Sequence, residues 1–317
     1  MDWIRRRFAG NLQGDLFGGV TAGIVALPLA LGFGVASGLE NGAAAGLYGA
    51  IAVGFFAALF GGTPSQISGP TGPMTVVVAG IVGSLTGDIT WVFAMVALSG
   101  VIQVVLGVLR VGHYIHYVPY PVISGFMSGI GAIVIVLQLA QIVGHDPASG
   151  TVAALQSIPS DFQNINPSAL LLGLCTIAII YASPRFTKVV PGTLIALLVV
   201  TAGSVMLGVD VPRIGEIPRG LPSPSVPEWD FAKFQLILVP AVMLALVGSI
   251  DSLLTSLVAD SVTKTRHDSE RELTGQGIGN IVAGLFGGLP GAGATMRTVV
   301  NVRSGGRTHL SGVIHSM

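Results

Sequence analysis

Charge, cysteine and aromatic side chains are all scarce in this 317-residue sequence. Charged residues make up 9% of the chain, against roughly 25% in soluble domains, so a soluble domain is excluded. The formal net charge is zero, and no global attraction to nucleic acid or acidic partners follows from it. The single cysteine, Cys175, supports neither a disulfide nor a thiolate metal cluster.

Motifs of common enzymes are absent as well. The sequence has no His-Glu-x-x-His, no Walker A lysine motif and no Gly-x-Ser-x-Gly. The glycines of Gly275-Gln-Gly-Ile-Gly279 lack the spacing of a dinucleotide-binding loop. We therefore expect a protein that is not an enzyme and carries no organic cofactor.

Apolar residues and glycine are abundant instead. Hydrophobic residues make up 51% of the chain, the mean hydropathy is +0.78, and there are 45 glycines, as expected where helices pack closely in lipid. These features predict an all-α, polytopic membrane protein. A helical crossing needs about 20 residues. The candidate spans are 15–38, 43–62, 67–86, 91–110, 119–143, 167–183, 189–208, 234–259 and 273–288, with a shorter tenth at 294–302.

Lysine and arginine are distributed unevenly around these spans, which orients the chain in the membrane. With the N-terminal segment 1–14 in the cytoplasm and each span crossing once, three basic residues face outside: Arg213, Arg219 and Lys233. Eleven face inside: Arg5, Arg6, Arg7, Arg110, Arg185, Lys188, Lys264, Arg266, Arg271, Arg303 and Arg307. This bias predicts a multi-pass protein of the inner (plasma) membrane with a cytoplasmic N-terminus.

Three connections between spans are distinctive. Two long ones, 144–166 and 209–233, are predicted outside, and the second is rich in proline, which suits a stiff irregular segment. Inside, the mixed charges from Asp260 to Glu272 are typical of a solvated turn. Small residues spaced four apart predict helix-packing faces; they include Gly125 with Gly129 and Gly284 with Gly288.

Asp251 lies within an otherwise apolar stretch, Leu236 to Thr255, that is long enough to cross a bilayer. A carboxylate at membrane depth costs about 3 kcal/mol on insertion scales, and it usually marks an ion or proton pathway. A structural ion pair with Arg297 is the alternative, because intramembrane charges also pair with one another. The position favours a protein that moves a solute across the membrane.

The third and tenth spans open with backbone that cannot be regular helix. One begins Ser68-Gly-Pro-Thr-Gly-Pro-Met-Thr75, and the other begins Leu289-Pro-Gly-Ala-Gly-Ala-Thr-Met-Arg-Thr298. Glycine and proline leave too few residues in each for a full helical crossing. Each therefore predicts an extended stretch that leads into a half-helix. Such backbone is tolerated at membrane depth only inside protein or beside a cavity.

The two half-helices enter from opposite sides of the membrane, so their N-termini are expected to meet near the midplane. Each N-terminus carries free N–H groups and a partial positive charge, and together they suit a small anion. Broken spans at corresponding places in two halves indicate a transporter built from inverted repeats. Arg297 either favours the anion directly or neutralises Asp251. The candidate anion-binding residues are Ser68, Thr71, Gly72, Ala294, Thr295 and Arg297.

Asp251 also suits a cation beside this anion. Thr255 lies four residues further on and shares its helix face. Their side-chain oxygens, together with unwound backbone carbonyls around Gly291 and Gly293, are hard ligands that suit Na⁺. A protonatable Asp251 would suit H⁺ instead.

Several motifs resemble the sulfate permease (SulP) family of anion transporters. The segment 11–28 is similar to the first-span signature of the family, and Gly69–Thr75 and the run from Asp251 to Arg297 are similar as well. The likeness to a sodium-dependent bicarbonate transporter within the family is strongest in three segments: 249–256, 271–280 and 286–295. The resemblance covers essentially the whole chain.

The resemblance implies a fold of two inverted repeats of seven spans each, a homodimer, and a cytoplasmic STAS domain that is absent from this chain. Residues 15–110 and 234–317 would belong to a core domain, and residues 119–208 to a gate domain. The family's binding residues carry over onto a sodium set, Asp251, Thr255 and Gly293, and an anion set, Thr71, Gly72, Ala294 and Thr295.

The leading hypothesis is Na⁺-coupled bicarbonate uptake by alternating access, with bicarbonate, Na⁺ and the lipid bilayer as partners. A H⁺-coupled or exchanging carrier of sulfate or another anion is the second hypothesis. A non-transporting membrane scaffold or sensor is a third, but it has no need of a membrane-depth carboxylate beside two broken helices. The last spans of the implied fold are missing, so residues 1–317 alone are expected to show no coupled transport.

Overall fold

The computed structural model describes residues 8, 10–83, 85, 88–117, 119–146, 151–186, 192–211, 220, 224 and 230–317. Arg5 to Arg7, Lys188 and most of the proline-rich connection 209–233 lie outside these residues. The helices are α1 Leu12–Ala36, α2 Gly42–Phe60, α3 Gly72–Val82, α4 Thr90–Val108, α5 Tyr120–Ile142, α6 Thr151–Gln163, α7 Pro167–Ala182, α8 Gly192–Met206, α9 Phe231–Thr263, α10 Ser269–Leu285, α11 Thr295–Arg303 and α12 His309–Ser316. The strands are β1 Ser68–Pro70 and β2 Gly291–Gly293, and 3-10 turns cover Val111–Tyr117 and Ser183–Arg185.

Helices long and apolar enough to cross a membrane confirm the predicted helical membrane architecture. Within the described residues five meet this standard: α1, α2, α4, α9, and α7 with its 3-10 extension to Arg185. Shorter apolar helices occupy Gly72–Val82, Gly131–Ile142 and Ile195–Met206. Side-chain caps fix two of the helix starts near the predicted positions. Asn166 accepts from the Ser168 and Ala169 amides before α7, and Asp230 accepts from the Ala232 and Lys233 amides before α9.

The connection 144–166 is not irregular throughout, because it contains α6, a helix of 13 residues. Val152, Leu155, Ile158 and Phe162 recur at three- and four-residue intervals, which is a helical period. The segment is amphipathic rather than apolar, so a search for long apolar runs passes over it.

The solvated turn predicted from Asp260 to Glu272 is wrong at its C-terminal end. Helix α9 ends at Thr263 and is followed by Lys264, whose φ of 60° is left-handed, and α10 begins directly after Asp268, whose side chain accepts from the Arg271 amide. Glu272 is then in the first turn of α10 and only 1% exposed. The physical reason is a set of four donors that surround its carboxylate, described below.

The two strands form a small antiparallel pair in the middle of the molecule. Ser68 is opposite Gly293, Gly69 opposite Ala292, and Pro70 opposite Gly291. All six residues are buried. A cluster of large apolar side chains from α3, α4 and α9 packs around the pair and includes Met74, Trp91, Met95 and Leu244.

Helix packing is tight around the strands and sparse along the first half of α5. A Cβ on Gly284 would lie 2.5 Å from the Ala97 amide nitrogen, and one on Gly288 would lie 2.7 Å from the Gly49 nitrogen, so this predicted packing face is confirmed. A Cβ on Gly125 or on Gly129 would have no atom of another element within 4 Å, so these two glycines form no such face within the described chain. The division into a core domain and a gate domain stays a prediction.

Candidate anion and cation site

The strand pair brings the two half-helix starts together. Helix α3 follows β1 immediately and begins after Thr71; α11 follows β2 and begins after Ala294. No side chain caps either start. Because the first N–H groups of a helix have no partner within it, two sets of donors are available at one place. The predicted meeting of the two starts is therefore what the fold shows.

Asp251 lies on α9 beside the paired strands β1 and β2. It is 4% exposed, and its carboxylate lies close to the Thr71 side chain. Even so, Asp251 Oδ2 and Thr71 Oγ1 each have no hydrogen-bond partner of acceptable geometry. A buried carboxylate oxygen and a buried hydroxyl that are both left over are the groups a bound ion could use.

Thr255, one turn further along α9, contacts the start of the other half-helix. Its hydroxyl donates to the Gly293 carbonyl at 3.0 Å and lies 2.8 Å from the Thr295 hydroxyl. Ser252 accepts from the Gly293 amide at 3.0 Å. The structure thus brings Thr71, Asp251, Thr255, Gly293 and Thr295 to one face of α9.

Arg297 is buried in α11 but forms no salt bridge with Asp251. Its Nη2 donates to the Pro70 carbonyl at 2.5 Å, while Nη1 has no partner in the described part of the chain. The two charges still interact electrostatically. The structural ion pair considered from the sequence is therefore replaced by a through-space attraction, and one guanidinium nitrogen stays available.

Two further predicted residues, Ser68 and Gly291, contact a different helix. Ser68 accepts a hydrogen bond of 2.5 Å from Gln276, and the Gly291 carbonyl accepts one of 2.9 Å from Asn280. Both donors are on α10. Of the two carbonyls predicted as cation ligands, that of Gly293 is held by α9 and that of Gly291 by α10.

Helix α10 carries a buried polar stripe that the sequence reasoning missed. Glu272, Gln276 and Asn280 recur every four residues and are 1%, 0% and 0% exposed. This spacing puts them on one helix face, and that signal could have been found in the sequence. Glu272 accepts from the Gly62 and Thr63 amides at 2.9 Å each and from the Gln66 and Gln276 side chains at 2.8 Å each.

Two discontinuous spans that meet at a buried polar site are typical of membrane transporters. Sequence comparison identifies the family. The sequence model of the Sulfate permease family matches residues 12–317, so the chain belongs to that family.

The similar proteins carry a more specific description. Bicarbonate transporter BicA of Synechocystis sp. is 52% identical over 316 residues, which cover 97% of this chain and 56% of the relative. BicA of Picosynechococcus sp. is 49% identical over 319 residues, with 96% and 56% covered. The chain therefore spans about half the length of these curated relatives. The solved transmembrane domain of a cyanobacterium bicarbonate transporter BicA superposes with a TM-score of 0.91 at 51% identity, covering 98% of this chain and 81% of that one.

Proposed function

We propose that the protein takes up bicarbonate together with Na⁺ by alternating access. The observation that carries the proposal is the crossing of β1 and β2, which brings two uncapped half-helix starts to the face of α9 that holds Asp251. Similarity to bicarbonate transporters named BicA supports bicarbonate as the anion.

The anion is expected to bind at the starts of α3 and α11. Free backbone N–H groups and the positive ends of two helix dipoles favour a small oxyanion there. Thr71 contributes an unpartnered hydroxyl, and Arg297 contributes a positive charge with a free Nη1. A planar, singly charged bicarbonate can accept several of these hydrogen bonds at once.

The cation is expected to bind between α9 and β2. Asp251 supplies a carboxylate, Thr255 a hydroxyl and Gly293 a carbonyl, and a hard cation favours oxygen ligands of this kind. A cation at this place would also offset the charge of the anion beside it. That mutual attraction gives a physical reason for coupling, since each ion raises the affinity of the site for the other.

The test is uptake of radiolabelled bicarbonate by the full-length protein in sealed vesicles, with Na⁺ inside, outside or absent. We expect uptake only with an inward Na⁺ gradient. Equal uptake when choline replaces Na⁺ would contradict the coupling, and an imposed proton gradient then tests H⁺ in its place.

Sulfate is the second candidate anion, because the family to which the chain belongs is named the Sulfate permease family. Competition decides between them. Unlabelled bicarbonate should suppress the uptake of radiolabelled bicarbonate at concentrations where sulfate does not. Suppression by sulfate alone would assign the site to sulfate and leave the Na⁺ experiment intact.

A further inference from the structure

The outer edge of β2 is occupied by side chains instead of a third strand. Gly291 is opposite Pro70 in register, but both of its backbone groups face away from β1 and are bound by Asn280. The Gly291 amide donates to Asn280 Oδ1 at 2.8 Å, and Asn280 Nδ2 donates to the Gly291 carbonyl at 2.9 Å. These two bonds reproduce the exchange between a hydrogen-bonded pair of antiparallel strands.

The Asn280 amide is also held, on the side away from β2, by Gln103 on α4. Gln103 Oε1 accepts the second Nδ2 hydrogen at 2.7 Å, and both residues are fully buried. If the amide were turned over, its NH₂ group would face the Gly291 N–H and its oxygen would face an oxygen. Its two hydrogen bonds to Gly291 would be lost together, so only one orientation is stable.

The other end of β2 is fixed by α9. Ser252 holds the Gly293 amide, and Thr255 holds the Gly293 carbonyl. The strand is therefore held at Gly291 by α10 and at Gly293 by the helix that carries Asp251. Without the hold at Gly291, two buried backbone groups would lack partners, and the strand would shift to satisfy them.

We propose that Asn280 is a positioning residue: by serving as a substitute strand for β2, it sets the place of the Gly293 carbonyl and of the α11 start relative to Asp251. Gln103 acts through Asn280 and not on β2 itself. This inference deepens the proposed function, since the ions whose site is positioned are those proposed above.

The experiment compares Asn280→Leu, Gln103→Leu and the double variant in full-length protein. Leucine keeps the approximate volume and removes every hydrogen bond. We expect the half-saturation concentration for Na⁺, normalised to inserted protein, to rise about tenfold in Asn280→Leu. The rise should be smaller in Gln103→Leu, and the double variant should match Asn280→Leu alone. Additive effects of the two changes would contradict the claim that Gln103 acts through Asn280.

A second measurement does not depend on transport. Hydrogen–deuterium exchange of the backbone amides in the segment 289–295 is measured by mass spectrometry with neither Na⁺ nor bicarbonate added. It should become faster in Asn280→Leu and in Gln103→Leu. Asn301→Leu is the matched control, because Asn301 is equally buried but binds Ser65 and Ser311 instead of β2. It should lower the amount of folded protein without changing exchange in 289–295.

The outcomes separate the two proposals. If amide exchange in 289–295 is unchanged in Asn280→Leu, the positioning role is overturned, whichever solute the protein transports. An unchanged half-saturation for Na⁺, in a protein whose wild type shows Na⁺-dependent uptake, overturns it too. Absence of Na⁺-dependent uptake in the wild type instead overturns the proposed function, and the exchange measurement still decides the role of Asn280. Should Asn280→Leu fail to fold, Gln103→Leu, which keeps Asn280, provides the same two readouts.

Discussion

At the scale of single residues, two buried carboxylates of this protein have opposite surroundings. Glu272 has both oxygens occupied by four donors, so it is a closed structural group. Asp251 is almost as deeply buried, yet its Oδ2 has no hydrogen-bond partner. A buried carboxylate oxygen without a hydrogen bond is costly, and a bound cation would remove that cost. Of the two, Asp251 is the one suited to a ligand.

The first prediction concerns the charge of Asp251. Asp251→Asn keeps the shape of the side chain and removes the negative charge, so Na⁺-dependent uptake should be abolished while the protein still inserts. Uptake assays with surface labelling measure both. Asp260→Asn, the same change on the same helix, is the control and should retain Na⁺ dependence. Retained Na⁺ dependence in Asp251→Asn would remove Asp251 from the cation site.

The second prediction concerns the hydroxyl of Thr255. Thr255→Val is nearly isosteric, but the Gly293 carbonyl and the Thr295 hydroxyl each lose a partner. A lost buried hydrogen bond of about 1.4 kcal/mol corresponds to about a tenfold rise in the half-saturation concentration for Na⁺. Thr263→Val removes a hydroxyl that bonds only locally, to Ala259 and Thr265, and should leave the half-saturation unchanged. Identical values for both variants would contradict a role for Thr255.

At the scale of elements, the contact between the two strands depends on the absence of side chains. A Cβ on Gly291 would lie 2.5 Å from the Gly69 carbonyl carbon and 2.6 Å from its oxygen. These are backbone atoms, which cannot turn aside as a flexible side chain can. The crossing therefore requires glycine at this position for reasons of space.

The third prediction uses that constraint. Gly291→Ala should lower the stability of the folded protein by about 1–3 kcal/mol, as overpacking does, and should reduce uptake more than it reduces the amount of protein. Thermal unfolding in detergent and uptake in vesicles are the measurements. Gly80→Ala, on α3 with nothing within 4 Å, is the control and should be neutral or stabilising. If both changes have the same small effect, the strands do not approach each other closely enough at Gly291 to require glycine.

The broken spans are the elements that the sequence predicts best. Gly69, Pro70 and Gly72 before one half-helix, and Pro290, Gly291 and Gly293 before the other, exclude regular helix locally, so no tertiary knowledge is needed. The pairing of β1 with β2 and its register depend on contacts across 221 to 225 positions of sequence, from Pro70 with Gly291 to Ser68 with Gly293, and no local signal specifies them. The buried stripe of α10 is not predicted, because the charged run from Asp260 to Glu272 is typical of a solvated turn and separates Glu272 from Gln276 and Asn280 in the span that follows.

At the scale of the whole molecule, an ion pair links the connection after α3 to the start of α9. Lys233 Nζ lies 2.7 Å from Asp88 Oδ2. The hydrogen bond from Lys233, helped by one from Thr90, holds the pKa of Asp88 below its ordinary value. The sequence could place both charges outside the spans, but it could not pair them, because they are 145 residues apart.

The fourth prediction is the pH dependence of this link. Because the pKa of Asp88 is lowered in the folded state, its contribution to stability is complete above the ordinary aspartate pKa and is lost as pH falls through the lowered value. Lys233→Met should therefore reduce the melting temperature slightly at neutral pH, and the difference from wild type should vanish in acid. Asp88→Asn should reproduce the loss, and the double variant should add nothing to it. A difference that persists in acid would show that Lys233 acts through something other than this pair.

The crossing of β1 and β2 also limits how such a protein can change its cargo. The donors at the two half-helix starts, and the Gly293 carbonyl, are peptide groups, which every amino acid except proline carries alike. A point substitution there, other than one to proline, cannot change their chemistry; it can only move them. New preference for an anion would therefore have to be acquired around the peptide groups, through side chains such as Thr71 and Arg297, while the backbone path is inherited unchanged.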